Sequence, residues 1–531
     1  MPPIPALPRS VTRLLSIAIL LGWAACMVVL VNRSYLQASS TNLATDLARY
    51  GSDATWRGVY YRGEKIGFTV SQTVPREDGF EIQEDARLQM TLLGATTPAI
   101  IRTTAQVDRA FALRSFDFSL DPGTGPIHVT GHLDGARLSI TVASASGART
   151  EERELPDPPA LSLNLSRRLA QAGLVPGARH RWSMFDPATL SNAPVVVTVG
   201  QRELVRAGTL RVPAFRVEME FAGVRTTSWV TDTGEVVREE SPLGLMTLRE
   251  PPERAQGLAV PERVQADLLR AAAVVPVATE RIDETRDVRR IRLRLEGADL
   301  PRGDLDGTGQ TVTGHEIEIR TFEDLRPSRA SDEMSRYLAP EPLIESDAPE
   351  IKAEVARALP GAAGPRERAE RLTRYVNGLL DKKPTLSLPS AREVLRTKVG
   401  DCNEHTALYV AMARAAGLPA RVAAGLTYVH GAFYYHAWPE VFIAEGRGRG
   451  LWLPVDPTLN QFPADATHVR LARGGLDRQA AILPLLGRLK ITIIDLELAP
   501  GARRILVGRP SPYVGALELP LPRRERWRRC P

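Results

Sequence analysis

Apolar and polar positions divide the 531-residue chain into three regimes. The first is an unbroken uncharged run, residues 14–31 (LLSIAILLGWAACMVVLV), bounded by Arg13 and Arg33. As a helix rising about 1.5 Å per residue it nearly crosses the hydrocarbon core of a bilayer. A cleaved leader carries a shorter apolar region followed by a small-x-small site. Here strongly apolar Met27-Val28-Val29-Leu30-Val31 follows the small pair Ala24-Ala25, which also argues against lipidation at Cys26. An uncleaved anchor is therefore the favoured reading, with 1–13 as a cytoplasmic N-terminus, 14–32 as the span and 33–53 as a tether. Arg9, Arg13 and the terminal amine precede the span, against Arg33 and Arg49 after it. That slim positive-inside bias places the bulk outside the cytoplasm, in a periplasmic setting. No later segment is both uncharged and long enough, so a single pass is expected.

The second regime, 54–255, alternates with a period of two. Ile66-Gly67-Phe68-Thr69-Val70, Leu138-Ser139-Ile140-Thr141-Val142 and Val195-Val196-Val197-Thr198-Val199 read as strands separated by Gly, Pro, Asp and Asn. One helix is expected at 161–173. His128 and His132 fall on a polar sheet face and suggest no chemistry. The third regime mixes periods. A connector over 256–334 holds a helical stretch at 258–279 and a small strand unit at 285–322, where Ile291-Arg292-Leu293-Arg294-Leu295 and Ile317-Glu318-Ile319 alternate. Helices follow at 349–359 and 365–381, and Ser390 is placed to cap a short one. Leu408, Ala411, Met412 and Ala415 have i, i+3, i+4, i+7 spacing, predicting a helix over 402–416 with one buried face. Gly417 and Pro419 stop it. Strands are then expected around 433–443 and 451–455, joined by a Gly/Arg turn at 446–450. A last alternating strand, 489–496, is expected to complete the same sheet. Residues 499–531 form a basic tail, solvated or touching anionic lipid headgroups.

Composition changes this picture little. Hydrophobic and charged fractions of 43% and 24% are those of a globular chain, and the length suits about three domains. A net charge of +6 gives no reason to expect nucleic acid. Three cysteines, Cys26, Cys402 and Cys530, make no disulfide framework. No dinucleotide fingerprint, phosphate-binding loop or Ca-loop pattern implies a cofactor.

Candidate chemistry concentrates between Val399 and Pro457. Cys402 follows Gly400-Asp401 at the start of the predicted helix, where unpaired N–H groups and the helix dipole favour a thiolate and an oxyanion. His436 lies in a strand and Asp456 at the end of the next, so antiparallel pairing can bring the carboxylate onto the imidazole and fix its tautomer.

These blocks, GDCNEHTALYVAMARAAGLPARVAAG, then HAWPEV, then WLPVDPT, occur in the order found in the transglutaminase-like superfamily, and the segment 335–480 resembles its papain-like core, within a domain expected over 335–498. The resemblance implies an α+β fold with Cys402 as nucleophile, His436 as base and acid, and Asp456 as orienter. It implies a cysteine enzyme acting on amide bonds, as a peptidase, amidase or acyl transferase. The expected partner is a peptide or protein amide, and the expected location points to those of the cell envelope. One departure is visible. Some members take an oxyanion donor from a Trp upstream of the Cys, but this chain has no Trp between 229 and 438. The hole must then use the Cys402 N–H and another donor.

Two other readings stand beside the enzyme. Cys402, His405, His436 and Asp456 are chemically able to ligate zinc, but no paired-Cys or His-Glu-x-x-His motif supports it, and a metal would quench the nucleophile. No metal is expected, and Glu404 and His405 are expected to shape the cleft or face solvent. The remaining alternative is a catalytically retired scaffold that binds peptide or protein partners.

Overall fold

The computed structural model describes residues 47–506, apart from 48, 93–94, 209, 242–243, 258–272, 298–304, 323–324, 326–327, 330–333, 386, 447, 481, 483–484 and 486–487. The apolar run 14–31, Cys530 and most of the helical connector lie outside the described residues. Among the described residues no helix is long and apolar enough to cross a membrane.

Alternation dictates the first half. Between Thr55 and Arg249 fourteen strands form one antiparallel sheet. In Ile127–Asp134 the buried positions alternate with exposed ones, and His128 and His132 fall on the exposed side. The chain meanders outward from Thr55–Tyr61 to one edge at Gly147–Glu154. It resumes at the other edge, Arg179–Asp186, and meanders back until Leu245–Arg249 pairs with the first strand. The Gly147–Glu154 edge reads GARTEERE, a charged row that discourages pairing with another chain. The helix Ser162–Ala172 buries Leu165 and Leu169 against Val195, Val197 and Val199.

In the C-terminal module four helices pack with a sheet. The helices are α1 (Pro349–Ala358), α2 (Gly364–Leu379), α3 (Ala391–Thr397) and α4 (Cys402–Ala415). The strands are β1 (Ala420–Val429), β2 (Ala432–Gly446), β3 (Arg449–Pro454) and β4 (Val469–Arg473). They lie in the order β3-β2-β1-β4, with Ser328–Arg329 at the β3 edge. Every residue of α4 from Glu404 to Arg414 is buried, not the single face that the spacing predicts. The helix is sandwiched between α1–α3 and the sheet, so its small residues are as enclosed as Leu408, Val410 and Met412. Burying each of those three large side chains is worth about 1.5–3 kcal/mol.

The strand Lys490–Leu498 does not complete this sheet. It pairs with Val288–Glu296 in a separate four-stranded sheet that includes Gln310–Thr313 and Glu316–Arg320. Alternation predicts a strand but cannot name its partner. That sheet shares a core with the module, where Ile291, Leu293 and Ile491 pack with Leu426 and Phe433.

Candidate active site

Local sequence places Cys402 at the first turn of α4. Asp401 caps the helix, accepting from the Asn403 N–H at 3.0 Å, and Glu404 reaches back to accept the Asp401 N–H at 2.8 Å. This reciprocal capping box fixes the entry of the chain. It also needs Gly400, because a Cβ there would meet Glu404 Cβ at 2.2 Å. Neither Glu404 nor His405 faces solvent; they are 3% and 0% exposed. His405 Nδ1 lies 2.7 Å from the Asp401 carbonyl, and burial lowers its pKa, so it is a neutral donor there.

Register brings the next two residues together. Glu440 of β2 stands opposite Pro454 of β3, and the Val455 N–H continues the ladder to the Pro439 carbonyl at 2.9 Å. Residues 436, 438 and 440 share one face, so Asp456, two beyond Pro454, emerges diagonally beside His436. His436 Nε2 lies 2.7 Å from Asp456 Oδ2, both buried. With Nε2 donating to the carboxylate, Nδ1 is left as the basic nitrogen. The Ala437 N–H, one residue on from His436, donates to the Cys402 sulfur. The structure thus brings His436 and Asp456 into contact and holds the thiol against the backbone beside His436.

A fourth residue joins them. His468 Nε2 lies 3.1 Å from the same Asp456 Oδ2, while its Nδ1 lies 3.2 Å from Asp465 Oδ1. Facing a carboxylate at each ring nitrogen, His468 is an imidazolium. Burial opposes that charge, but Asp456 and Asp465 outweigh it and raise its pKa to about 10. Burial likewise pushes the Asp456 carboxyl up, and His436 and His468 overcome this to hold it well below the usual carboxylate range. The Leu459 N–H occupies Oδ1 at 2.8 Å. Gly425 makes the placement of His468 possible: β4 passes so close that a Cβ there would meet the Val469 carbonyl at 2.0 Å.

The thiol itself departs from the expectation of a depressed pKa. Burial pushes Cys402 well above the ordinary thiol range, and Asp401, Glu404 and Asp456 add to this against the Ala437 N–H. The acidic capping box surrounds the helix N-terminus with negative charge and offsets its dipole.

Sequence reading missed His468 and Asp465. Their Asp-x-x-His spacing is visible in the sequence, but nothing there ties it to Asp456. The donor atoms of His436, Asp456 and His468 lie within 4.8 Å of one another, a set different from the four ligands considered from sequence. Both imidazoles spend a proton on the shared carboxylate, so a cation would have to displace two hydrogen bonds there.

One turn along the same strand face, Glu440 is fully buried within a cage of Arg421 at 2.7 Å, Arg470 at 2.7 Å and Arg473 at 3.3 Å. Burial raises its pKa, but the arginines, Arg470 foremost, prevail and hold it well below the usual range.

An α+β domain with a thiol at a helix start and a histidine–carboxylate pair on neighbouring strands defines a class: the papain-like cysteine folds. Residues 353–457 match the transglutaminase-like superfamily, so the C-terminal module is a transglutaminase-like domain. No curated protein matches the chain significantly. Three solved structures are similar in part. A candidate cysteine protease from Cytophaga hutchinsonii is 14% identical, covering 38% of this chain and 83% of its own, with a TM-score of 0.25. A β-barrel-like protein of a domain of unknown function from Brucella abortus is 13% identical, covering 37% and 96%, at 0.29. The periplasmic domain of TgpA from Pseudomonas aeruginosa, bound to ethylmercury, is 18% identical, covering 34% and 92%, at 0.21. At these TM-scores none of the three bears on function.

Proposed function

We propose that the protein is a membrane-anchored, transglutaminase-like cysteine enzyme that acts on peptide or protein amides. The observation that carries this reading is the hydrogen-bonded His436–Asp456 pair, fixed beside the backbone that holds the Cys402 thiol. In the resting state the thiol keeps its proton, and the His436 Nε2–H is directed at Asp456. As Cys402 Sγ attacks the amide carbonyl, its proton passes to His436 Nδ1, and Asp456 stabilises the imidazolium that forms. The tetrahedral oxyanion is taken by the Cys402 N–H, with the Ala437 N–H supplying the second donor in place of the absent Trp. His436 then gives its proton to the leaving amine, and the Cys402 thioester passes to water or to another amine. The anchor at 14–31 would hold this chemistry at a membrane surface, outside the cytoplasm.

An activated ester separates this reading from a retired scaffold. With p-nitrophenyl acetate, the full-length chain should show a burst of nitrophenolate and a hydroxylamine-sensitive acetyl group on Cys402 by mass spectrometry. Cys402→Ala should abolish both, and His436→Ala should slow them by about 10²-fold or more. Acylation that proceeds equally without His436, or an unmodified Cys402, would sink the mechanism and favour the scaffold.

A further inference from the structure

Between the β-rich domain and the catalytic module lies a cavity of about 1160 Å³. Asn403 and Thr406, from the start of α4, are among the residues that line it. Asn403 Oδ1 and Thr406 Oγ1 are buried with no hydrogen-bond partner, and Thr406 is 1% exposed overall. Unsatisfied polar atoms at such a place are costly unless a ligand meets them.

Charge gives the cavity a sign. Six arginines line it against two glutamates, Glu154 and Glu341. Four of the six are spoken for. Arg153 pairs with Glu151, Arg414 with Glu341, and Arg421 and Arg473 with buried Glu440. Arg336 and Arg478 are exposed and have no carboxylate partner among the described residues. The volume exceeds the range of about 300–1,000 Å³ usual for small-ligand pockets and suits an extended segment of chain.

We propose that this cavity is the recognition cleft for an acidic peptide segment, whose carboxylates meet Arg336 and Arg478 and whose backbone meets Asn403 and Thr406. A peptide satisfies both halves of the site. Its carboxylates match the planar guanidinium fork, and its N–H groups can donate to Asn403 Oδ1. A phosphate polymer offers the charge without those donors. Asn403 follows Cys402 directly, and Gln479 on the cavity wall accepts from the Tyr435 hydroxyl at 2.8 Å, next to His436. A segment held here therefore contacts the residue that follows Cys402 in the chain. Delivery of an amide to Cys402 rests on the cysteine chemistry proposed above; the binding does not.

The test reads binding alone. Fluorescein-labelled octa-glutamate is titrated against full-length Cys402→Ala protein in non-ionic detergent and followed by anisotropy. Octa-glutamate should bind at least ten-fold more tightly than a Gly-Ser octamer, and its affinity should fall steeply with added salt. The Arg336→Glu, Arg478→Glu double variant should raise its Kd by ten-fold or more, because charge-assisted hydrogen bonds are lost. Arg76→Glu, on a distant strand, should leave Kd unchanged, and matching melting temperatures would show that each variant folds. Equal affinity for the two peptides, indifference to the double charge reversal, or tighter binding of inorganic tripolyphosphate would overturn the acidic-peptide cleft. Acidic-peptide binding in a protein that never forms a Cys402 thioester would keep the cleft and discard the enzyme.

Discussion

Asp456 serves two imidazoles through one oxygen, and this decides how His436 behaves. A carboxylate facing a permanent cation on one side is a weaker base than one facing His436 alone. It therefore orients the His436 ring without taking its proton. Replacing His468 by Gln removes that cation and leaves Asp456 and Asp465 buried with one partner fewer. The expected cost is about 3–5 kcal/mol in unfolding free energy, measured by urea titration. A purely structural role would stop there; a positioning role should also slow Cys402 acylation under conditions where the variant is fully folded, because Asp456 is then free to turn away from His436. The sign for stability follows from the same shifts. His468 has a raised pKa, so its contribution is complete below about pH 6.5 and is lost as pH climbs toward about 10. Asp456 and Asp465 have depressed pKa values, so theirs is present above about pH 4 and lost on acidification. Thermal melts should peak between these limits, and the alkaline decline should flatten in His468→Gln. Cys402, His436 and Asp456 were legible in the sequence because each sits in its own recognisable block. His468 was not, because its partner is made by a strand pairing.

At the scale of elements, β2 organises the site. One face of it carries His436, Trp438 and Glu440, and its two neighbours supply what these residues contact. β3 leads to Asp456, and β4, crossing over Gly425, brings His468 and Arg470. The Gly425→Ala variant pushes β4 away through its Cβ, with an expected loss of about 1–3 kcal/mol and slower Cys402 acylation, read together by thermal melting and the nitrophenolate burst. Glu440→Gln keeps the shape but leaves Arg421, Arg470 and Arg473 without their anion. The expected loss is again about 3–5 kcal/mol, seen as a lowered urea midpoint at neutral pH. The difference from wild type should shrink below about pH 4, where the wild-type carboxyl also loses its contribution. β2 and β3 were readable in the sequence as strands, whereas β1 and β4 were not among those expected. The identity of neighbours was not readable: Lys490–Leu498 alternates as cleanly as β4, yet it belongs to another sheet.

In the whole molecule the β-rich domain and the transglutaminase-like module are joined by specific contacts. Leu388, from the loop before α3, is 2% exposed within the core of the β-rich domain. Ser146 donates to Glu393 at 2.9 Å, and Arg149 pairs with Asp347 at 2.9 Å, both from the charged sheet edge to the module. The edge strand whose charges discourage self-pairing thus supplies the contacts that position the second domain. Leu388→Ala should cost about 2–5 kcal/mol and loosen this junction. Differential scanning calorimetry of the full chain should then resolve two transitions where the wild type shows one coupled transition. Weaker octa-glutamate binding in that variant would show that the cleft depends on the junction.

The sequence by itself determined the parts whose physics is local. A period-two pattern makes strands, Asp401 and Glu404 cap a helix start, and three short blocks carry a thiol, an imidazole and a carboxylate with the flanks of a transglutaminase-like domain. The tertiary structure alone decided what depends on residues far apart in the chain. It enclosed α4 on every side, turned a helix-start thiol into a strongly protonated one by burial among carboxylates, and set His468 behind Asp456. It also formed a basic cavity between domains lined by Asn403, the residue after Cys402. Burial and charge proximity are sums over neighbours that the chain brings together only on folding, and no local pattern states those sums in advance.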